Sequence, residues 1–258
     1  MPIVRFVGRV LPFVVKVSFT DVPEATWEET GIGITMKFRI RVEQSIVNVE
    51  CEVNEYREDY LPMFHMRAFD LARACVDVAV FNTGFGLTVA FDTFIRPDGV
   101  PTALFFTNPA LPEICTASKM NPQTQEDREE LGKILRIVMQ EPPLFMALND
   151  LTQAISIPHH GPTNAGRILD GLRKIVAPDL EPRNGWPIFR DIVRADEQYL
   201  ALIMEHAKNT RHGDRTYIDG ETTMEIVKRA WTIMNRFLEY RKSGNLPLSP
   251  EIFPTLNG

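Results

Sequence analysis

Apolar and polar residues alternate strictly from Ile34 to Val42. Ile34, Met36, Phe38, Ile40 and Val42 fall on one side, and Thr35, Lys37, Arg39 and Arg41 on the other. A period of two is the pattern of a strand with one buried face. The alternation resumes from Ile46 to Val53 after Glu43-Gln44-Ser45, so the two runs predict a hairpin. Its polar side sets Lys37, Arg39 and Arg41 against Glu50 and Glu52, a pattern that cross-strand charge pairing explains. Between about Tyr60 and Thr83 the period changes. Leu61, Phe64, Ala68, Leu71, Ala72, Cys75, Val78 and Ala79 recur at three and four, with Arg67, Asp70, Arg73 and Asp77 on the other face. That spacing predicts an amphipathic helix lying across a sheet, ended by Gly84 and Gly86.

The flanks extend this domain. Ile3 to Val10 and Phe13 to Phe19 are rich in Val and Phe and read as two further strands. Asp21 to Gly33, with Pro23 and an acidic cluster of Glu24, Glu28 and Glu29, reads as a loop or a short turn of helix. Leu87 to Ile95 and Ala103 to Thr107 read as strands joined by the turn Arg96-Pro97-Asp98-Gly99. Strands, one long helix and more strands predict an α+β fold, a mixed β-sheet domain over residues 1–118. Beyond Pro109, Pro112 and Pro122 the strand pattern disappears. Residues 119–258 predict an all-α five-helix bundle, with helices over about Gln123–Gln140, from Pro142-Pro143 to about Ile155, Pro162–Val176, Pro187–Lys208 and Thr222–Lys242. Thr222 and Glu225 have the spacing of a capping box. The proline-rich ending LPLSPEIFPTLNG is expected to lie extended over the bundle through Leu246, Ile252 and Phe253.

Composition excludes some functions. A formal net charge of −6 argues against a protein that coats a polyanion, although a local basic groove stays open. Cys51, Cys75 and Cys115 are widely spaced in apolar settings, as expected of free buried thiols in a reducing, cytoplasmic protein. The apolar runs are all interrupted by charge short of the ~20 residues of a membrane span, so no membrane partner is expected.

Phosphate-loop, dinucleotide, zinc-peptidase and nucleophile-elbow motifs are all missing. Asn82-Thr83-Gly84-Phe85-Gly86 has a G-x-G, but after a helix rather than a strand, which suits a helix stop. The chemistry-bearing residues gather instead in two interhelical segments. Lys208 to Asp219, KNTRHGDRTYID, carries Lys208, Arg211, His212 and Arg215; Ile157 to Gly161 carries His159 and His160, with Arg167, Arg173 and Lys174 following. If both segments meet at one end of the bundle, the arginines suit a phosphate and a histidine suits proton transfer. His206, His212 and Asp214 lack the spacing of a helical metal site, and their basic surroundings disfavour a divalent cation. No metal and no cofactor are expected.

The final helix, ending WTIMNRFLEYRK, and the polar loop before it, with Arg211, His212 and Gly213, resemble the HEPN superfamily of small helical bundles. The resemblance implies a helical dimer, and in active members a metal-independent ribonuclease with an arginine and a histidine at the dimer interface. In those members four to six residues separate the two; here Arg211 and His212 are adjacent. The expected function is therefore a non-enzymatic binding or regulatory protein. In it the bundle forms a homodimer, and Lys208, Arg211, His212, Arg215, His159 and His160 receive RNA or a small anionic ligand. A ribonuclease using Arg211 and His212 as its catalytic pair is the alternative.

Overall fold

The structure is a computed structural model that describes residues 1–19, 22–104, 120–121, 123–157, 160–211 and 218–258, excepting the side chains of 209–211. The chain separates into two compact units, Met1–Phe105 and Phe106–Gly258. The division expected from composition, 118/119, falls near the far end of the stretch 105–119, which lies outside the described residues.

The first unit holds β1 (Ile3–Leu11), β2 (Ala25–Glu29), β3 (Ile34–Glu43), β4 (Ile46–Val53), a 3-10 turn over Glu58–Tyr60, α1 (Leu61–Thr83), β5 (Thr88–Ile95) and β6 (Pro101–Ala103). The sheet order is β2-β3-β4-β1-β5-β6. Every neighbouring pair is antiparallel, so the sheet is not mixed. The cause lies in one strand: α1 joins β4 to β5, which run the same way, and β1 stands between them in the opposite sense. The inward residues of the strands meet Phe64, Ala68, Ala72 and Val76 of α1 in a single core. Val78 lies outside that core and is 61% exposed, whereas His65 and Met63 take buried positions. The outer face carries ion pairs such as Arg5–Glu50 at 2.9 Å and Arg9–Asp92 at 2.8 Å. Arg39 and Lys37 also pair, but chiefly with Glu24.

Two stretches of this unit depart from expectation. Residues 13–19 form no strand. They brace the β3–β4 hairpin, whose turn residues Gln44 and Ser45 both have positive φ, 50° and 66°. Buried Ser45 donates its hydroxyl to the Val15 carbonyl at 2.6 Å and accepts from the Val17 amide at 2.9 Å. Residues 25–29, in the expected loop, form the edge strand β2. Its inner side is held by charge: Glu29 accepts from Arg67 of α1, whose guanidinium lies 4.1 Å from the Trp27 ring. The last strand, β6, covers 101–103; residues 105–107 of the expected strand are outside the described residues.

The second unit is helical: α2 (Gln125–Gln140), α3 (Pro142–Ser156), α4 (Gly161–Val176), α5 (Pro182–Val193), α6 (Glu197–Arg211) and α7 (Gly220–Lys242). Leu144, Leu151, Ile168, Leu172, Phe189, Ile203, Ile233 and Phe237 are fully buried in its core. The single helix expected from Pro187 is two, so the described helices number six rather than five. Arg194 turns into the left-handed region at φ 50°, and the Asp196 carboxylate accepts from the Tyr199 amide at 2.6 Å, opening α6. The first of the two begins at Pro182, five residues before the expected start, so Pro187 lies inside α5. The start of α7 also differs. Its cap is Asp219, which accepts from the Thr222 amide at 2.8 Å, so Thr222 stands within the first turn. The ending does return to the bundle, through half-buried Phe253 as expected and also through Leu248 and Leu256, whereas Leu246 and Ile252 are 64% and 72% exposed.

Candidate functional site

The two polar segments flank helices whose ends are in contact. His160 directly precedes α4, and its amide donates to the Ile157 carbonyl at 2.9 Å, closing the turn that leaves α3. Gly161, the first residue of α4, is buried. A Cβ there would lie 3.3 Å from the methyl groups of Thr223 and of Val227. The start of α4 is thus pressed onto the first two turns of α7, an approach that a glycine permits. On the other side, the Arg229 guanidinium of α7 donates to the Tyr199 carbonyl of α6 at 3.0 Å. Counting equal helical rises from that contact sets Lys208 level with Gly220. The end of α6, the start of α7 and the start of α4 therefore share one end of the bundle.

Of the expected site residues, His160 and Lys208 are at that end and exposed. Arg211 closes α6, with its side chain outside the described residues. His159, His212 and Arg215 are outside them altogether. His206 is half-buried on α6, one turn before the end. Arg167 forms an ion pair with Asp150 of α3 at 3.2 Å. Burial raises the Asp150 carboxyl above its ordinary range, against the opposing pull of Arg167. Arg173 and Lys174 do not belong with His160. Thirteen residues along α4 put them ~20 Å away at its other end. There Arg173 is buried against Gly185, 5.5 Å from the Trp186 ring.

A residue missed in sequence stands at the favoured end. Asn164, in the first turn of α4, is 5% exposed, and its side-chain amide nitrogen has no acceptor among the described residues. Its position three after Gly161 and four before Ile168, on the buried stripe, was the available signal.

The electrostatics favour an anion. Two helix N-termini point their positive ends toward this face. That of α7 is already occupied by Asp219, whose carboxyl is held below its usual range by hydrogen bonds from Thr222. That of α4 carries no side-chain cap from His160. Among the described residues, no group of three or more His, Cys, Asp or Glu is arranged to hold a metal. Cys51 is buried, its thiol pushed up to about 12 by that burial, and Cys75 is raised for the same reason, as suits packed rather than reactive thiols. Cys115 is outside the described residues.

Comparison with known families matches both units. Residues 4–105 match the DUF8168 N-terminal domain, and residues 131–242 match the DUF8168 C-terminal domain, each described as a domain of unknown function. No curated protein and no solved structure matches the chain. Among the described residues no helix is long and apolar enough to cross a membrane.

Proposed function

We propose that this chain is a non-enzymatic binding protein of the cytoplasm. Its helical unit forms a homodimer and takes a phosphate-bearing ligand at the end where α4 starts and α6 meets α7. The observation that carries this reading is the contact of Gly161 with Thr223 and Val227. It sets the start of α4, which follows the His159-His160 pair in sequence, beside the start of α7, which follows the Arg211-His212-Arg215 stretch in sequence. Lys208 and the start of α4 contribute positive charge to that end, which an anionic ligand complements.

The test is fluorescence anisotropy with a labelled single-stranded RNA and, separately, with ADP as the small-anion arm. Binding by the intact chain should weaken about tenfold in Lys208→Ala/Arg215→Ala and fall with added salt. Absence of saturable binding to both probes would overturn the proposal. The RNA recovered from the assay is expected intact. Chelator-resistant cleavage that His212→Ala abolishes would instead establish the HEPN-type ribonuclease, with Arg211 on the phosphate and His212 as base.

A further inference from the structure

Two arginines of the helical unit are buried to the same degree, and only one of them is answered. Arg236, 6% exposed, donates to the carbonyls of Val193, Arg194 and Pro254. Arg173 is 4% exposed, and its guanidinium makes no hydrogen bond and no ion pair among the described residues. Its Nε is fully enclosed and has no acceptor. Position explains the burial, because Arg173 follows Leu169 and Leu172 on the inward stripe of α4. At 5.5 Å the Trp186 ring offers a cation–π contact, which offsets part of the charge and leaves the N–H groups unpaired. A guanidinium cannot shed its proton, and a buried charge is costly unless acceptors or a counter-charge meet it.

The guanidinium stands against the first turn of α5. Its Nη1 is 3.2 Å from where a Cβ on Gly185 would lie, and Gly185 is the buried fourth residue of that helix. A glycine there leaves the arginine its place. The start of α5 is positive as well: Pro182 opens it, and the Glu181 side chain makes no capping bond to it. Asp179 and Glu181, the carboxylates of the connection from α4, are exposed, and neither pairs with Arg173 among the described residues. A fixed charge and a helix start of the same sign therefore stand side by side.

We propose that Arg173 and the start of α5 form a binding site for a small oxyanion, a phosphate or a carboxylate. The planar fork of the arginine offers parallel donors that match two oxygens of either class. The first turn of α5 adds the partial positive charge of a helix N-terminus. Gly185 positions the arginine, and Trp186 holds its stem. The site is separate from the end of the bundle where α6 meets α7, since α4 carries Arg173 ~20 Å away from its own start.

The test follows the NMR signals of the Arg173 Nε–H and of the Trp186 indole in the full chain, the latter assigned with Trp186→Phe. Sodium phosphate, sodium acetate and sodium chloride are added in separate series at matched ionic strength. Phosphate or acetate should move both signals along one saturating curve, and chloride should not. The oxyanion that saturates at the lower concentration gives the class of ligand. In Arg173→Met, which keeps an unbranched stem against Trp186, the indole response should weaken about tenfold or more, as expected when a charged hydrogen-bond donor is lost. Equal responses to all three salts overturn the proposal, because the arginine then meets only water. So does an Arg173→Met chain that responds as the unaltered one does. The salt series needs no variant of Arg173, so it decides the matter even where Arg173→Met fails to fold.

Discussion

Each unit buries an ionisable side chain, and they do it in opposite ways. In the sheet unit, His65 is 5% exposed among Phe6, Phe69 and Phe91. Burial alone lowers its pKa from 6.5 to about 4, so the ring is neutral at physiological pH. In the helical unit, Arg236 is 6% exposed and keeps its charge, although burial lowers its pKa as well. Its guanidinium donates to the carbonyls of Val193, Arg194 and Pro254 at 3.1, 2.9 and 2.8 Å. A histidine can shed its proton and an arginine cannot, so only the arginine requires a cage of acceptors. The difference makes one unit sensitive to pH and the other dependent on a remote piece of chain.

The largest effect should come from Arg236→Leu. It removes the guanidinium donor from three carbonyls, of which that of Arg194 keeps the Leu256 amide, and leaves the buried site without its charge partner, so a loss of about 4 kcal/mol is expected in the urea-induced unfolding of the helical unit. A change under about 1 kcal/mol would mean that water replaces the guanidinium at little cost. Acidification should act next, and on the sheet unit. The folded pKa of His65 lies below its unfolded value, so the stability this difference confers is full above pH ~6.5. As pH falls toward 4, the unfolded chain binds the proton first, and about 3 kcal/mol is lost. His65→Phe should flatten that part of the pH–stability curve. An unchanged slope would assign it to carboxylates instead. Smallest is Asp219→Ala, which removes the cap of α7 for about 1 kcal/mol, read as a lower melting temperature of the helical unit. Because the Asp219 pKa is depressed, its contribution is present above the ordinary carboxylate pKa and fades as pH falls through the lowered value.

Where local periodicity and burial agree, the fold was legible. Strands β3 and β4 and helix α1 follow from alternation and from a three-four repeat, and the α+β organisation follows from their order. Strand β2 escaped because Thr26, Trp27 and Glu28 do not alternate; an arginine on α1 holds the strand through Glu29 and Trp27. The break between α5 and α6 escaped because it contains neither glycine nor proline. Asp196 was its one local signal, and the left-handed Arg194 depends on contacts with 253–256, far along the chain. The candidate site was legible as two polar segments, but its principal relation, Gly161 on Thr223 and Val227, is a tertiary contact that no local pattern expresses. Arg173 was misassigned for the same reason: closeness in sequence to His160 became distance along a helix.

The placement of β1 between β4 and β5 has a consequence in time. The first strand to leave the ribosome is the central one of the sheet, with Ile3 beside Glu52 and Arg5 beside Ile95. The β3–β4 hairpin closes over a two-residue turn, between stretches adjacent in the chain. β1 must wait while more than eighty residues follow it before its second edge is covered. Loop closure over that span is slow compared with hairpin formation, so the sheet unit should complete by insertion of its oldest strand. Until then, one main-chain edge of β1 is unpaired, with Val4, Phe6 and Val10 on its apolar face, and chains truncated before Ile95 are expected to be more prone to aggregate than the full chain, as light scattering would show.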